Sequence, residues 1–567
     1  MSRKSQTALE RYKARRGEKP DTPEKGAGSP DEADPRPSRK AQWRAVRLLV
    51  ILLLLVAVAW PLLPHPQKPI ELTYEIDLTE APQGSLTITL LAEGPLPGNL
   101  DLEFPPGVNG DDNGVTISAP IAHAIGEDGS QGRHLIIDPT QDGWRLQTDG
   151  ARRTGFIYRV DLMPSSSLET DIRRHISTQV NGGIRAAGFE VFLEPVGVPV
   201  KDLTVTIHNP HNLELLVPWP ALVRNDQTAA FPGMAADRAP AQDAHLGFGE
   251  GFQPGQSAPG LGTARDPEDE PTTAMPVPAN LFYHPRNLAD LNNSLIICGN
   301  LRVLSDQARD CVIQYATDRD WYFTDERVMN LVRSVARTEI GFFGSAPSDQ
   351  ITVLLAANEV HSPEGFDVYG VHTGNSVLVL IDPQTTWGVL QEQAASVIAH
   401  EMFHGWLGEA IKQTDPSTLW FTEGATTWYS SRILAAAGIW ELEHSRAIIR
   451  ARVERDYAGS DLMGKIPIAE AASQVMAGRD IISYGYAGST AACMALDRYI
   501  GERSGQRAPL DLVLRHLYQT RDEQGLTRAK LEEAILILTN IDCHDWLEAH
   551  VYGTTPLPPL DESLASR

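Results

Sequence analysis

Apolar and polar positions alternate over much of the chain between about residues 70 and 220. The runs 70–79, 85–94, 155–163, 189–196 and 201–210 are rich in β-branched and aromatic residues and are separated by Gly/Pro turns. That pattern predicts an all-β unit, assigned to 66–223. From 224 to 280 the alternation gives way to Pro, Gly, Ala and Asp, the composition of a linker or long loop. Periodicity then returns with a helix over 324–338, strands over 351–356 and 376–381, and an almost unbroken helical pattern from 391 to about 550. Strands followed by helices predict an α+β fold: an N-terminal β-rich domain, a second domain over 281–460 and a helical C-terminal part over 461–567.

Residues 48–63 follow a different rule, with no charge in the whole run and Trp60 near its far end. They predict a transmembrane signal anchor over 46–65. A cleaved signal peptide (Ala57-Val58-Ala59 offers a cleavage site) and a buried core helix are the rivals. The polar leader is long for a signal sequence, and a core helix shows a polar face. Residues 1–45 lack apolar periodicity and read as a disordered tail. The first 47 residues carry 13 Lys/Arg against 7 Asp/Glu, within a chain of net charge −24. Positive charge before the anchor places the N-terminus in the cytoplasm and the body on the extracytoplasmic side, periplasmic or extracellular. So acidic a body repels a phosphate backbone and excludes nucleic acid as partner, and it favours basic or neutral peptides. In an exported body the four cysteines offer up to two disulfides, with Cys298/Cys311 closing a short loop, although Cys493 reads equally well as a buried hydrophobe.

The chemistry sits at 400–404, His-Glu-Met-Phe-His, inside a helical run. Histidines four apart lie on one helix face, one turn above the other, so both imidazoles reach one ion, and zinc suits the pair. Glu401 points to the same side and is the candidate general base for a metal-activated water. Nineteen residues after His404 stands Glu423, on a second helix predicted to start at Thr422 after the Asp415-Pro416 turn. A His/His/Glu set with one open position is the ligand pattern of a catalytic zinc.

HEMFHGWLGEA followed by LWFTEGATTWY resembles the gluzincin metallopeptidases, in which HExxH is followed after 18 intervening residues by a ligand glutamate. The wording is most like the glycyl aminopeptidase family, with the membrane alanyl aminopeptidases next. The similarity is strongest over 395–430 and extends over about 320–505. It implies a thermolysin-like zinc peptidase domain behind the β-rich domain, one Zn2+ held by His400, His404 and Glu423, Glu401 as base, and a peptide or protein substrate. Such families also place a tyrosine downstream to stabilise the oxyanion. Here Tyr484 and Tyr486 flank the expected place, which Gly485 occupies, and Tyr484 is assigned the role. Aminopeptidases of this group grip the substrate amine with a glutamate on an upstream strand. This chain has His372 there, and an imidazole does not replace a carboxylate as partner of an ammonium group. Glu364 is a nearby acid. The alternatives to an aminopeptidase-like enzyme are an endopeptidase, an inactive binding protein that has kept the fold, and a zinc hydrolase of epoxides or other small substrates. The last helices are expected to wall the substrate cleft.

Overall fold

The computed structural model describes residues 67–105, 114–164, 176–221, 280–358, 368–474, 478–505, 507 and 509–559. The expected tail, the anchor over 46–65, nearly all of the linker and Glu364 lie outside the described residues. Among the described residues no helix is long and apolar enough to cross a membrane.

The N-terminal unit is built on a seven-stranded sheet in the order Asn280–Tyr283, Val200–His208, Ile70–Asp77, Ser85–Glu93, Arg153–Leu162, Val115–Ile125, Gln131–His134. Alternation does the sorting: Ile70, Leu72, Tyr74 and Ile76 are buried while Glu71, Glu75 and Asp77 face solvent. Smaller sheets complete this unit around its own core.

The boundary expected at 281 moves. Asn280–Tyr283 pairs with Val200–His208, and Leu295–Gly299 pairs with both Gly183–Ala187 and Glu214–Leu216, so the β-rich unit runs to Gly299. These strands complete sheets whose other members lie 70 or more residues earlier, a pairing that local periodicity does not reveal. The Cys298/Cys311 bridge is also overturned. All four cysteines are free and buried, and Cys298 belongs to the core of the β-rich unit while Cys311 belongs to the next one.

The second unit has a five-stranded sheet of β1 (Arg302–Ala308), β2 (Cys311–Thr317), β3 (Gln350–Ala357), β4 (Val368–Thr373) and β5 (Ser376–Ile381), in the order β1-β2-β3-β5-β4. β2, β3 and β5 are parallel, and β4 runs antiparallel along the edge. One face of the sheet (Ile313, Val353, Leu355, Val377, Val379) packs on helices. The other (Ala316, Leu354, Leu378, Leu380) meets Leu295 and Ile297 of the β-rich unit. Both faces are therefore dry, which is why β5 reads as an unbroken apolar run. The β4–β5 turn is tied to the β-rich unit by Asn375, whose side-chain amide donates to the Pro218 carbonyl.

Six helices matter to the site: α1 (Asp325–Phe343), α2 (Ala395–His404), α3 (Leu419–Ala436), α4 (Leu442–Arg452), α5 (Ile468–Ser473) and α6 (Arg479–Ser504). α1 starts with acids in its first turn and stops at Gly344 in the left-handed region, as the dipole and the C-cap rule require. The C-terminal helices share one core with the five-stranded sheet, from Ala308 through Leu557.

Candidate metal centre

Helix α2 is two-faced. Ile398, Ala399, Met402 and Phe403 enter the core, and His400, Glu401 and His404 are left on the opposite side. α3 starts at Leu419, earlier than the expected Thr422, because Asp415 holds a preceding turn by accepting from the Ser417 N–H. Glu423 therefore sits in the second turn of α3. At the next residue, Gly424, a Cβ would lie 2.3 Å from the Ser489 carbonyl oxygen, so only glycine lets α6 lie against α3 at that level.

The two helices bring His400, His404 and Glu423 together, with one ligand atom from each within 4.8 Å of the others. The imidazole Nε2 atoms are 3.1 Å apart, and Glu423 Oε2 lies 3.3 Å and 3.6 Å from them. Ligands about 2.0–2.1 Å from a tetrahedral zinc are separated by roughly 3.3 Å, so the donor set fits that ion before any is added. His404 Nδ1 meets the Leu407 carbonyl at 3.0 Å, an arrangement that places the proton on Nδ1 and leaves Nε2 as donor atom. Burial opposes protonation of His404, but Glu423 outweighs it and pushes the imidazole up to about 9. Burial likewise opposes ionisation of Glu423, yet the charge of His404 and the contact with His400 hold its carboxyl well below the usual range. In the metal-free state His404 and Glu423 thus form a buried ion pair.

Glu401 is buried beside the cluster. Burial raises its carboxyl pKa, against the pull of His400 and His404, and the His372 backbone N–H donates to it. The edge strand lies so near that a Cβ on Gly370 would be 2.6 Å from Glu401 Cγ and 2.8 Å from its Oε1. Burial, then His404, pushes the His372 imidazole pKa down to about 3, against the pull of the Gly374 and Glu401 backbone.

Tyr484 does not belong to the site. Its hydroxyl donates to the Ile466 carbonyl at 3.0 Å and its ring stacks on Tyr457, 5.7 Å between centroids. Residues two apart on a helix point about 200° from each other. Tyr486 accordingly faces the cluster: its ring is 6.3 Å from that of His400, and its hydroxyl pKa is raised well above normal by Glu423 and by burial. Tyr486 replaces Tyr484 as the tyrosine of the site. Glu409 is a further acid on the cleft wall; burial raises its pKa, and the Gly374 backbone N–H donates to it. The cleft holds about 780 Å³ and is floored by α2 and α3, with β4 on one side and α4 and α6 on the other.

Residues 347–546 match the Peptidase family M1 domain. Aminopeptidase N of Caulobacter vibrioides is 25% identical over 172 residues, covering 29% of this chain and 20% of that protein. Aminopeptidase M1-C of Oryza sativa subsp. japonica is 24% identical over 169 residues, covering 29% and 19%. The chain thus spans about a fifth of the length of these curated relatives. In fold it is similar to an aminopeptidase N family protein from Idiomarina loihiensis, with TM-score 0.62 and 16% identity over 87% of this chain and 78% of that one. A variant of an M1 zinc metallopeptidase from Deinococcus radiodurans gives TM-score 0.51 and 14% identity over 87% and 97%. The motifs implied a gluzincin peptidase domain behind a β-rich domain, most like the glycyl aminopeptidases; the domain model that matches is the M1 one.

Proposed function

We propose, starting from the M1-type domain over 347–546, that this chain is a zinc-dependent peptidase of aminopeptidase-like action. The observation that carries the reading is the convergence of His400, His404 and Glu423 within 4.8 Å in a cleft that also contains Glu401. One zinc held by these three residues would supply Lewis-acid polarisation of the scissile carbonyl and activation of water. Glu401, raised in pKa by burial, takes the proton of the attacking water and returns it to the leaving amine. Tyr486 donates its hydroxyl to the oxygen on which negative charge develops. The buried His372 N–H and the close backbone of Gly370 hold the Glu401 carboxylate in place.

His372 supplies no carboxylate for a substrate amine, which favours endopeptidase action as a second reading. Against it stands Glu409, an acid in the same cleft that is committed to neither metal nor proton transfer, and Glu409 is the group available to an ammonium. The uncharged run 48–63 after a basic leader supports anchoring in a membrane with the body outside the cytoplasm.

The test is zinc content and hydrolysis of N-terminally free and N-blocked peptides by the full chain and by Glu401→Gln. One zinc per chain, cleavage of free peptides, and a roughly 10²–10⁴-fold loss in the variant are expected. Equal cleavage of blocked peptides makes the enzyme an endopeptidase. Zinc without turnover of any peptide refutes the reading.

A further inference from the structure

The wall of the cleft opposite β4 is cationic, although the chain as a whole is strongly acidic. Arg452, Arg455 and Arg479 all line it. Their situations differ. Arg455 is neutralised by Asp456, through Nε–Oδ1 at 2.6 Å and Nη2–Oδ2 at 2.7 Å. That pairing commits the carboxylate that acts on Arg452 to another guanidinium. Arg452, the last residue of α4, is half-buried in the cleft wall, where desolvation lowers its pKa against the pull of Asp456, and it forms no hydrogen bond, ion pair or ring contact among the described residues. Tyr486 lines the same cleft and acts on Arg452 electrostatically.

A half-buried guanidinium that lines a cleft with no hydrogen-bond partner of its own keeps its donors free for an anion in that cleft. In a peptide the anion of matching shape is a carboxylate, which accepts two parallel N–H bonds from the arginine fork. We propose that Arg452 anchors a substrate carboxylate, so that the preferred substrates are peptides bearing one close to the scissile bond on the leaving side. This rests on the peptidase reading above and adds specificity to it. It also reverses the preference for basic or neutral peptides expected from net charge, because the local wall has the opposite sign to the body. Two sources share the chemistry: the terminal carboxylate of a short peptide and an acidic side chain.

The experiment compares kcat and KM of the zinc-loaded full chain on Ala-Ala-Ala and its C-terminal amide, and on Ala-Glu-Ala-amide and Ala-Gln-Ala-amide. The wild type should favour the carboxylate in one pair by about 100-fold in kcat/KM, mostly through KM, as for the loss of one partner of a buried charge pair. The first pair reports a terminal carboxylate and the second a side chain. Arg452→Gln should collapse that ratio toward one, and Arg452→Lys, which keeps the charge without the fork, should fall between. No selectivity in the wild type overturns the proposal, as does an equal fall on all four peptides in Arg452→Gln. If the wild type turns over none of them, the peptidase reading fails by itself. Calorimetric binding of Ala-Ala-Ala and its amide then decides the anchor: tighter binding of the acid, lost in Arg452→Gln, upholds it, and equal binding overturns it.

Discussion

Replacing each of two neighbouring tyrosines by phenylalanine separates catalysis from packing within a single turn of α6. Tyr486→Phe removes a hydroxyl aimed at the metal cluster and leaves the ring, so the fold and the three ligands stay in place. The loss of one preorganised donor to a developing oxyanion is worth roughly 10²–10³ in kcat, or about 2.7–4 kcal/mol. Zinc content should not change. Tyr484→Phe removes instead a hydrogen bond of 3.0 Å to the Ile466 carbonyl in a part-buried setting, worth about 1 kcal/mol. In a unit of this size that lowers Tm by roughly 2–4 °C. Turnover should be untouched. Steady-state kinetics, metal analysis and thermal melts on the two variants make the comparison. Retained kcat in Tyr486→Phe, or an equal loss of kcat in Tyr484→Phe, refutes the placement of Tyr486 in the chemistry.

Gly370→Ala puts a methyl within 3 Å of the Glu401 side chain and of Val397, so activity should fall at least tenfold while zinc stays bound, as a near-attack geometry is sensitive to displacements of about 1 Å. Loss of zinc together with activity would show that the strand supports the ligands instead. Zinc affinity should rise with pH up to about 9, because the metal must displace the proton that Glu423 keeps on His404. A flat titration above pH 7 contradicts this. For the metal-free fold the sign is opposite: His404, raised from 6.5 to about 9, contributes stability that is complete below pH 6.5 and lost as pH rises through 9. The depressed Glu423 adds stability above its ordinary value of 4.5 that is lost in acid, so urea melts of the apo protein should be most resistant between about pH 5 and 6.5.

The candidate His/His/Glu cluster was legible because its geometry is local: a four-residue spacing fixes two imidazoles on one helix face, and a single turn delivers Glu423. The strands over 350–357 and 376–381 were legible as apolar runs of strand length. The tyrosine was not. On both sides of Tyr486, α6 buries Tyr484, Gly485, Ala487, Gly488, Ser489, Thr490 and Ala491, so this stretch has no polar stripe from which to read which way each residue points. Only the register against α3 decides between Tyr484 and Tyr486. Strand Leu295–Gly299 was missed for a related reason, as its partners are distant in sequence. Arg452 gave no signal at all, because an arginine on an open surface and one lining a cleft are the same letter.

The side-chain tie from Asn375 to Pro218, and the apolar contact of Leu354 and Leu378 with Leu295 and Ile297, give the β-rich unit a role in the width of the cleft. β4 belongs to the catalytic sheet by sequence order, but the turn that ends it is held from outside. A fragment beginning after Gly299 would keep every ligand and the base, yet would expose one face of the catalytic sheet and release the strand against which Glu401 rests. The site is therefore a joint property of both units, and the shortest portion of the chain worth transplanting as a functional module includes them both.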